Sequence, residues 1–327
     1  MADYKAIKGH NIETVAGDPA VLQVGDIWYS STTKKIRGAA LAAGAWATGG
    51  NLNAGANDMA GIGIQTAALC VAGTRPAGQH QTVCESYDGS SWTEVGDINT
   101  GRIGNSGLGT QTAALTPGGN TSPPDAFLTI VESFNGTSWT EIADLNTGKC
   151  DSGSAGTQTA GLSFGGRVPA GTANCETWDG SSWTEVGDLN AVRALMAYFG
   201  TNTAALSVGG QPGPGGQAIV EEWDGSSWTE IADLNTARRA LAGSGTVAAG
   251  IACGGWTSPD TETAVTEEWN GSSWSEVADI STGVAFLAAG TASPSSSSIN
   301  FGGITPSIQA ITNEWDKSVA ASSFTSS

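Results

Sequence analysis

Few side chains in this 327-residue sequence have the type and spacing to do chemistry. The two histidines, His10 and His80, are far apart, and the five cysteines, Cys70, Cys84, Cys150, Cys175 and Cys253, show no metal-ligand spacing. Transition-metal sites need clustered imidazole or thiolate ligands, so no metal is expected. An odd cysteine count without a secretory segment argues against a disulfide framework, and buried free thiols behave as small apolar groups. Between residues 44 and 316 the tyrosines are Tyr87 and Tyr198. A nucleophilic tyrosine needs a base beside it, and none accompanies Tyr198 in "ALMAYFG" (194–200). No catalytic residue and no cofactor is therefore expected.

The basic residues carry more information. Arg75, Arg102, Lys149, Arg167, Arg193, Arg238 and Arg239 lie between 44 and 316 in a chain of net charge −18. Such acidity argues against nucleic acid, whose phosphates call for many cations, and against an anionic membrane surface. The N-terminus lacks an apolar signal core and no apolar run reaches membrane-spanning length, so cytoplasmic synthesis without membrane insertion is expected.

A repeat positions these residues. "ESYDGSSWTEVGDINTGR" (85–102) returns as "ESFNGTSWTEIADLNTGK" (132–149), "ETWDGSSWTEVGDLNAVR" (176–193), "EEWDGSSWTEIADLNTAR" (221–238) and "EEWNGSSWSEVADISTGV" (267–284). Its second tryptophan-phase position, at Trp92, Trp139, Trp183, Trp228 and Trp274, recurs every 44 to 47 residues, and Trp46 fits the same phase. Each repeat holds four strand-sized runs: a Gly/Ala-rich run, a run closing on a Gly pair, a run ending in an aromatic residue plus Asp or Asn, and the run with the Trp. Asp-Gly or Asn-Gly at the third turn supplies the positive φ of a tight hairpin, which also accounts for the sequon-like Asn135 and Asn270. Four strands per 40–50 residues is the period of a β-propeller blade. The chain starts with an orphan outer strand at Trp46 and ends with an orphan first half at "NEWDKS" (313–318). An all-β, six-bladed propeller closed by that N-terminal outer strand is expected, with small residues at the axis and aromatics between blades.

The Gly pair, the aromatic-Asp, the Trp and the Arg or Lys ten residues after it resemble the kelch repeat. Arg102, Lys149, Arg193 and Arg238 stand at its basic position and Val284 departs from it. The near-identical "GTQTAAL" (109–115) and "GTQTAGL" (156–162) resemble kelch-like proteins of marine tailed phages, and "VGDIWYSSTTKKIRG" (24–38) is similar to a hairpin of phage fibre and other virion proteins. Kelch propellers include copper oxidases with His and Tyr ligands, and sialidases also have six blades. Here the imidazoles are unclustered, and Asp88-Gly89-Ser90-Ser91-Trp92 lacks the residue between Asp and Gly of the sialidase turn.

The basic residues fall in second-to-third or fourth-to-first connections, which emerge on one face of an antiparallel ring. Asp97, Asp144, Asp188 and Asp233 each precede a basic residue by five positions and are its expected partners. Arg75, Arg167 and Arg239 have no such partner. With Trp256, Arg102, Arg193 and Arg238 they form the expected partner-binding face, since the second-to-third loops differ most between repeats. An aromatic beside basic groups suits a glycan or an acidic protein surface. The resulting reading is a non-enzymatic phage virion structural or adhesion protein, oligomeric in the particle. It divides into an N-terminal arm (1–24) that contacts other virion proteins, a β-hairpin (25–43), the propeller (44–317) and a flexible C-terminal tail (318–327). Its ligand would be a host surface glycan or protein. An intracellular kelch-type interaction scaffold is the alternative, and a propeller glycosidase or oxidase the third reading.

Overall fold

Short runs of small, β-branched and aromatic residues, each stopped by a Gly or Asx turn, fold here as antiparallel strands. In this computed structural model, residues 12–78, 80–121, 126–213 and 215–323 are described, and they form strands and turns without helices. The chain divides into two compact units, Trp46–Trp315 and a smaller one made of Met1–Ala45 with Asp316–Ser327.

The larger unit contains six four-stranded sheets. Sheet 1 runs Ala60–Ile64, Ala67–Val71, Cys84–Tyr87, Trp92–Val95, and sheet 2 runs Leu108–Thr110, Ala113–Pro117, Val131–Phe134, Trp139–Glu141. Sheet 3 has Gly153–Thr157, Ala160–Phe164, Cys175–Trp178 and Trp183–Val186. Sheet 4 has Ala197–Thr201, Ala204–Val208, Val220–Trp223 and Trp228–Glu230. Sheet 5 is Ala242–Thr246, Ala249–Cys253, Thr266–Trp269 and Trp274–Glu276. Sheet 6 takes Ala288–Ala289, Ser297–Phe301 and Thr312–Asp316, and its outer strand, Ala45–Thr48, comes from the other end of the chain. First strands are neighbours from sheet 1 through sheet 6, and the first strands of sheets 6 and 1 also touch.

The turns and cores follow the repeat. Asp88 Oδ1 accepts the N–H groups of Ser90 and Ser91 at 2.8 Å each, and Gly89 stands at φ 92°. Asn135 and Asn270 fill the same role with the same geometry. Buried apolar clusters join one sheet to the next, as Phe164 of sheet 3 against Trp228 of sheet 4 (4.8 Å) and Phe301 of sheet 6 against Trp92 of sheet 1 (4.7 Å) illustrate. All five cysteines are free and buried.

A buried carboxylate fixes each of sheets 1 to 5 to the preceding connection. Glu132, in the third strand of sheet 2, accepts the backbone and side-chain N–H of Asn99 at 2.7 Å, the Thr100 N–H at 3.3 Å and the Arg102 guanidinium at 3.0 Å. Asn99 to Arg102 leave the outer strand of sheet 1, so this carboxylate joins two sheets. Asn146 and Lys149 do the same for Glu176, Asn190 and Arg193 for Glu221, and Asn235 and Arg238 for Glu267. In sheet 1 the basic slot holds Ala56. Arg75, from the second-to-third loop, supplies the guanidinium to Glu85 instead, at 2.5 Å, beside Asn53. Sheet 6 abandons the whole set: Ser281, Val284 and Asn313 replace Asn, Arg and Glu, and Asn313 Nδ2 donates to Asn300 Oδ1 at 2.9 Å.

The partners expected for the basic residues are thereby corrected. Internal pairing occurs, but with glutamates of the third strands, because a fully buried cation needs an equally buried anion. Asp97 is exposed and accepts the Cys84 N–H at 3.3 Å. Asp188 similarly caps Cys175 N, and Asp144 takes the Thr129 hydroxyl.

The smaller unit is one sheet in the order Glu13–Val15, Ile27–Ser30, Lys35–Leu41, Val319–Ser323. The expected hairpin pairs Ile27 with Gly38. The expected arm contributes a strand parallel to Ile27–Ser30, and the expected free tail is instead a strand from Val319 to Ser323, antiparallel to Lys35–Leu41. Small Ala and Ser residues complete the open hairpin edge there, which gives their backbone groups ladder partners. Residues 1–11, with His10, and 324–327 lie outside the described residues.

Breaking one carboxylate junction should be costly, and copying the chain's own alternative should not. Glu132→Ala leaves a buried guanidinium unpaired and should lower stability by about 3 to 5 kcal/mol in urea unfolding. The triple change Asn99→Ser, Arg102→Val and Glu132→Asn, which imitates sheet 6, should recover most of that loss. A triple variant no more stable than Glu132→Ala would show that the sheet 6 solution does not transfer.

Candidate functional site

Two residues beyond each basic slot the chain makes the same backbone move. Asp58, Gly104, Asp151, Leu195, Ala240 and Phe286 all have φ between 52° and 61°. Five are not glycine, and left-handed backbone is uncommon for such residues. The surrounding hydrogen bonds hold it. The N–H of Gly104 donates to Asp58 O (3.0 Å), Asp151 to Gly104 (2.7 Å), Leu195 to Asp151 (3.0 Å), Ala240 to Leu195 (2.8 Å) and Phe286 to Ala240 (2.9 Å). Asp58 N–H then donates to Phe286 O at 3.1 Å. Each sheet thus contributes one residue to a collar of six peptide groups.

The collar borders a cavity of about 80 Å³ whose wall includes Asp58, Asn105, Asp151, Ser152, Tyr198 and Phe286. Its polar groups are unevenly partnered. Asp151 is buried and pairs with Arg167, whose side chain is 45% exposed. Gly104 leaves room for this arrangement, since a Cβ there would stand 2.5 Å from Asp151 Oδ1. Asp58 is half-buried. Desolvation first, and then the Asp151 charge, push its carboxyl up to about 8, against a smaller opposing pull from Arg167. Burial also raises Asp151, which Arg167 opposes. Asn105 is 5% exposed; its Nδ2 donates to Thr116 Oγ1 at 2.8 Å and its Oδ1 has no partner among the described residues.

The second-to-third loop of sheet 5 adds an aromatic platform. Trp256 meets Phe286 edge-on at 4.8 Å between ring centroids, and the Arg239 guanidinium lies 4.8 Å over the Trp256 ring. Arg239 also pairs with Asp260. Trp256–Thr257 and Thr261–Glu262 form a small hairpin, and comparable hairpins stiffen the corresponding loops of sheets 2, 3 and 6.

These positions redraw the expected binding face. Of the residues expected there, Arg167 is exposed and Arg239 and Trp256 are half-buried, and both arginines have carboxylate partners that the sequence did not disclose. Arg75, Arg102, Arg193 and Arg238 do not belong to that face: 4% exposed or less, they are held by glutamates inside the sheets and present nothing to a partner. Tyr198 reaches the cavity wall and accepts the Gly107 N–H at 3.3 Å; burial pushes its phenol up to about 12. His80 stands in the second-to-third loop of sheet 1. Asp58, Asp151 and Phe286 escaped the sequence reading. Their signal was present: counted from the basic slot, this position changes from each repeat to the next, whereas the slot is Arg or Lys at 102, 149, 193 and 238.

No protein-family model matches the chain, and no curated protein matches it. A solved structure titled "Structure of YjhT" is similar, with a TM-score of 0.67 and 13% identity over 83% of this chain and 99% of that one. That likeness, with the four-stranded antiparallel sheets, establishes a β-propeller-type fold.

Two opposite carboxyl shifts are open to NMR titration. Asp58 should titrate with a midpoint about 8, and Asp88, Asp179 and Asp224 about 2, because serine hydroxyl and backbone N–H donors hold the turn carboxylates ionised. Between 3.8 and about 8, Asp58 is protonated when folded and ionised when unfolded, so its contribution to stability falls as pH rises through that window and levels off above it. Asp58→Asn should flatten that slope. A wild-type midpoint near 4 would contradict the burial and charge argument.

Proposed function

We propose that this protein is a non-enzymatic adhesion or structural protein of a phage virion, a six-bladed kelch-type ring that binds its partner on the collar face. One observation carries the binding reading. The junctions into sheets 2 to 5 repeat one Asn, Arg or Lys, and Glu pattern, whereas the collar positions on that frame read Asp, Gly, Asp, Leu, Ala and Phe. A constant scaffold with a varied surface is the pattern of recognition loops on a rigid fold.

Other features support the remaining parts. The six-membered hydrogen-bond cycle and the placement of Ala45–Thr48 beside Thr312–Asp316 favour a closed ring of six blades. Both tyrosine hydroxyls of the larger unit are engaged, Tyr87 with Glu314 Oε1 at 2.6 Å and Tyr198 with Gly107, which disfavours a phenolate nucleophile. The hairpin similar to virion proteins pairs with the C-terminal strand in a unit of its own, so both ends of the propeller segment run into a single attachment element. Through it the protein would contact other virion proteins and assemble in copies.

Mass spectrometry of purified phage particles should find this chain, and its absence from particles that the encoding phage produces would overturn the virion reading. Changing Arg167, Arg239 and Trp256 together to Ala should abolish binding of labelled protein to host cells while circular dichroism stays unchanged. Binding that survives would move the contact to another face. Deleting residues 1–50 should leave the third strand of sheet 6 as an open edge and produce oligomers or aggregates. A monomeric product with the melting temperature of the full chain would refute ring closure by the N-terminal strand.

A further inference from the structure

We infer that the collar cavity takes a primary ammonium group, seated among Asp58, Asp151 and Asn105. This rests on the collar face being the contact surface and names the chemistry that face selects.

Charge points the same way at two scales. From Trp46 to Trp315 there are 26 acidic residues against seven basic ones, a net −19 that draws cations toward the ring. Asp151 neutralises Arg167 and Asp260 neutralises Arg239, so neither guanidinium is left to attract an anion, while Asp58 forms no ion pair among the described residues and feels Arg167 only as a smaller opposing pull. The groups that face Asp58 electrostatically are Asp151 and Arg167, with Cys150 beside them.

The second observation is the orphan acceptor on Asn105. Its Nδ2 is fixed by Thr116 Oγ1 and by Val71 O at 3.4 Å, which leaves the buried Oδ1 without a donor among the described residues, and Asn105 is one of the residues that line the cavity. A buried oxygen without a donor is costly, and an entering N–H would satisfy it. An ammonium carries three donors on one atom, enough for Asn105 Oδ1 and the two carboxylates, whereas a guanidinium is a wide planar fork. The space, about 80 Å³, admits such a head group with a short alkyl stem. Phe286 and Tyr198 add aromatic walls that favour a cation. Where Asp58 is protonated, seating the cation displaces the carboxyl proton to solvent, so the complex keeps the charge of a carboxylate–ammonium pair.

The experiment is an NMR titration of the full chain with n-butylamine and with Nα-acetyl-lysine N-methylamide, using n-butanol as the uncharged control. Saturable shifts of the Asn105 side-chain amide and the Tyr198 ring are expected with both amines and not with butanol. Asp58→Asn keeps a residue that tolerates left-handed backbone and should weaken amine binding about tenfold, the loss of one charge-assisted contact. Asn105→Ala should weaken it as well and carries the test if the first variant does not fold. Asp88→Asn, in an exposed turn, should change nothing. Spermidine against a lysine-bearing peptide then separates a free polyamine from a partner's side chain, the tighter of the two naming the source. Absence of saturable shifts, or equal binding by wild type and Asp58→Asn, overturns the inference. Cell binding lost in the Arg167, Arg239, Trp256 variant alongside no amine binding would leave the contact face standing and remove only the ammonium.

Discussion

The buried glutamate in the third strand of sheets 1 to 5 is the group on which the larger unit depends. A carboxylate with no access to water is tolerable only when its oxygens are fully hydrogen-bonded and its charge is met. Glu132 reaches that state by taking an amide, two backbone N–H groups and a guanidinium from the connection that precedes its sheet. Every requirement of the carboxylate is therefore a requirement on the neighbouring sheet's exit path. Tight apolar packing alone would let adjacent sheets slide by small amounts. The charge pair and its directed N–H donors allow one register.

The collar is a consequence of that register. Once Arg102 or Lys149 is locked, the chain turns toward the next first strand, which begins at Leu108 or Gly153, and a left-handed residue two positions on, Gly104 or Asp151, makes that turn. The collar peptide groups then lie end to end and satisfy one another. Glycine would adopt this backbone without strain, yet five of six positions hold larger residues, so the side chains there are present at a conformational cost. Sheets 1 and 6 show how far the constraint can bend. Sheet 1 imports Arg75 from a different loop to rescue Glu85, and sheet 6 removes cation, anion and amide together. Neither leaves a lone buried charge.

The same pairing governs what the face can recognise. In the linear sequence, Arg167 and Arg239 look like free cations beside an exposed tryptophan. In the folded chain their carboxylates are Asp151, sixteen residues away, and Asp260, twenty-one away, each contributed across a turn rather than within one strand. What remains at the mouth is an acidic pair in a small, poorly solvated space, and low solvation is what lifts the Asp58 carboxyl while exposed Asp88 is held down by its turn donors.

The amino-acid order by itself determined the strands, the Asx turns and the count of repeated units, because these rest on local rules: period-two runs, positive φ at Asp-Gly and Asn-Gly, and a Trp phase of 44 to 47 residues. It also placed the Trp46 strand with the last repeat, since an orphan outer strand and an orphan first half complement each other. Tertiary structure alone decided which acid meets which base. Asp97 is nearer to Arg102 in sequence, but Glu132 is the one buried with it, and burial is a property of sheet packing that spacing does not encode. For the same reason the collar stayed hidden: its six residues are some 45 positions apart, of five different types, and united only by backbone groups that meet when the sheets are in register.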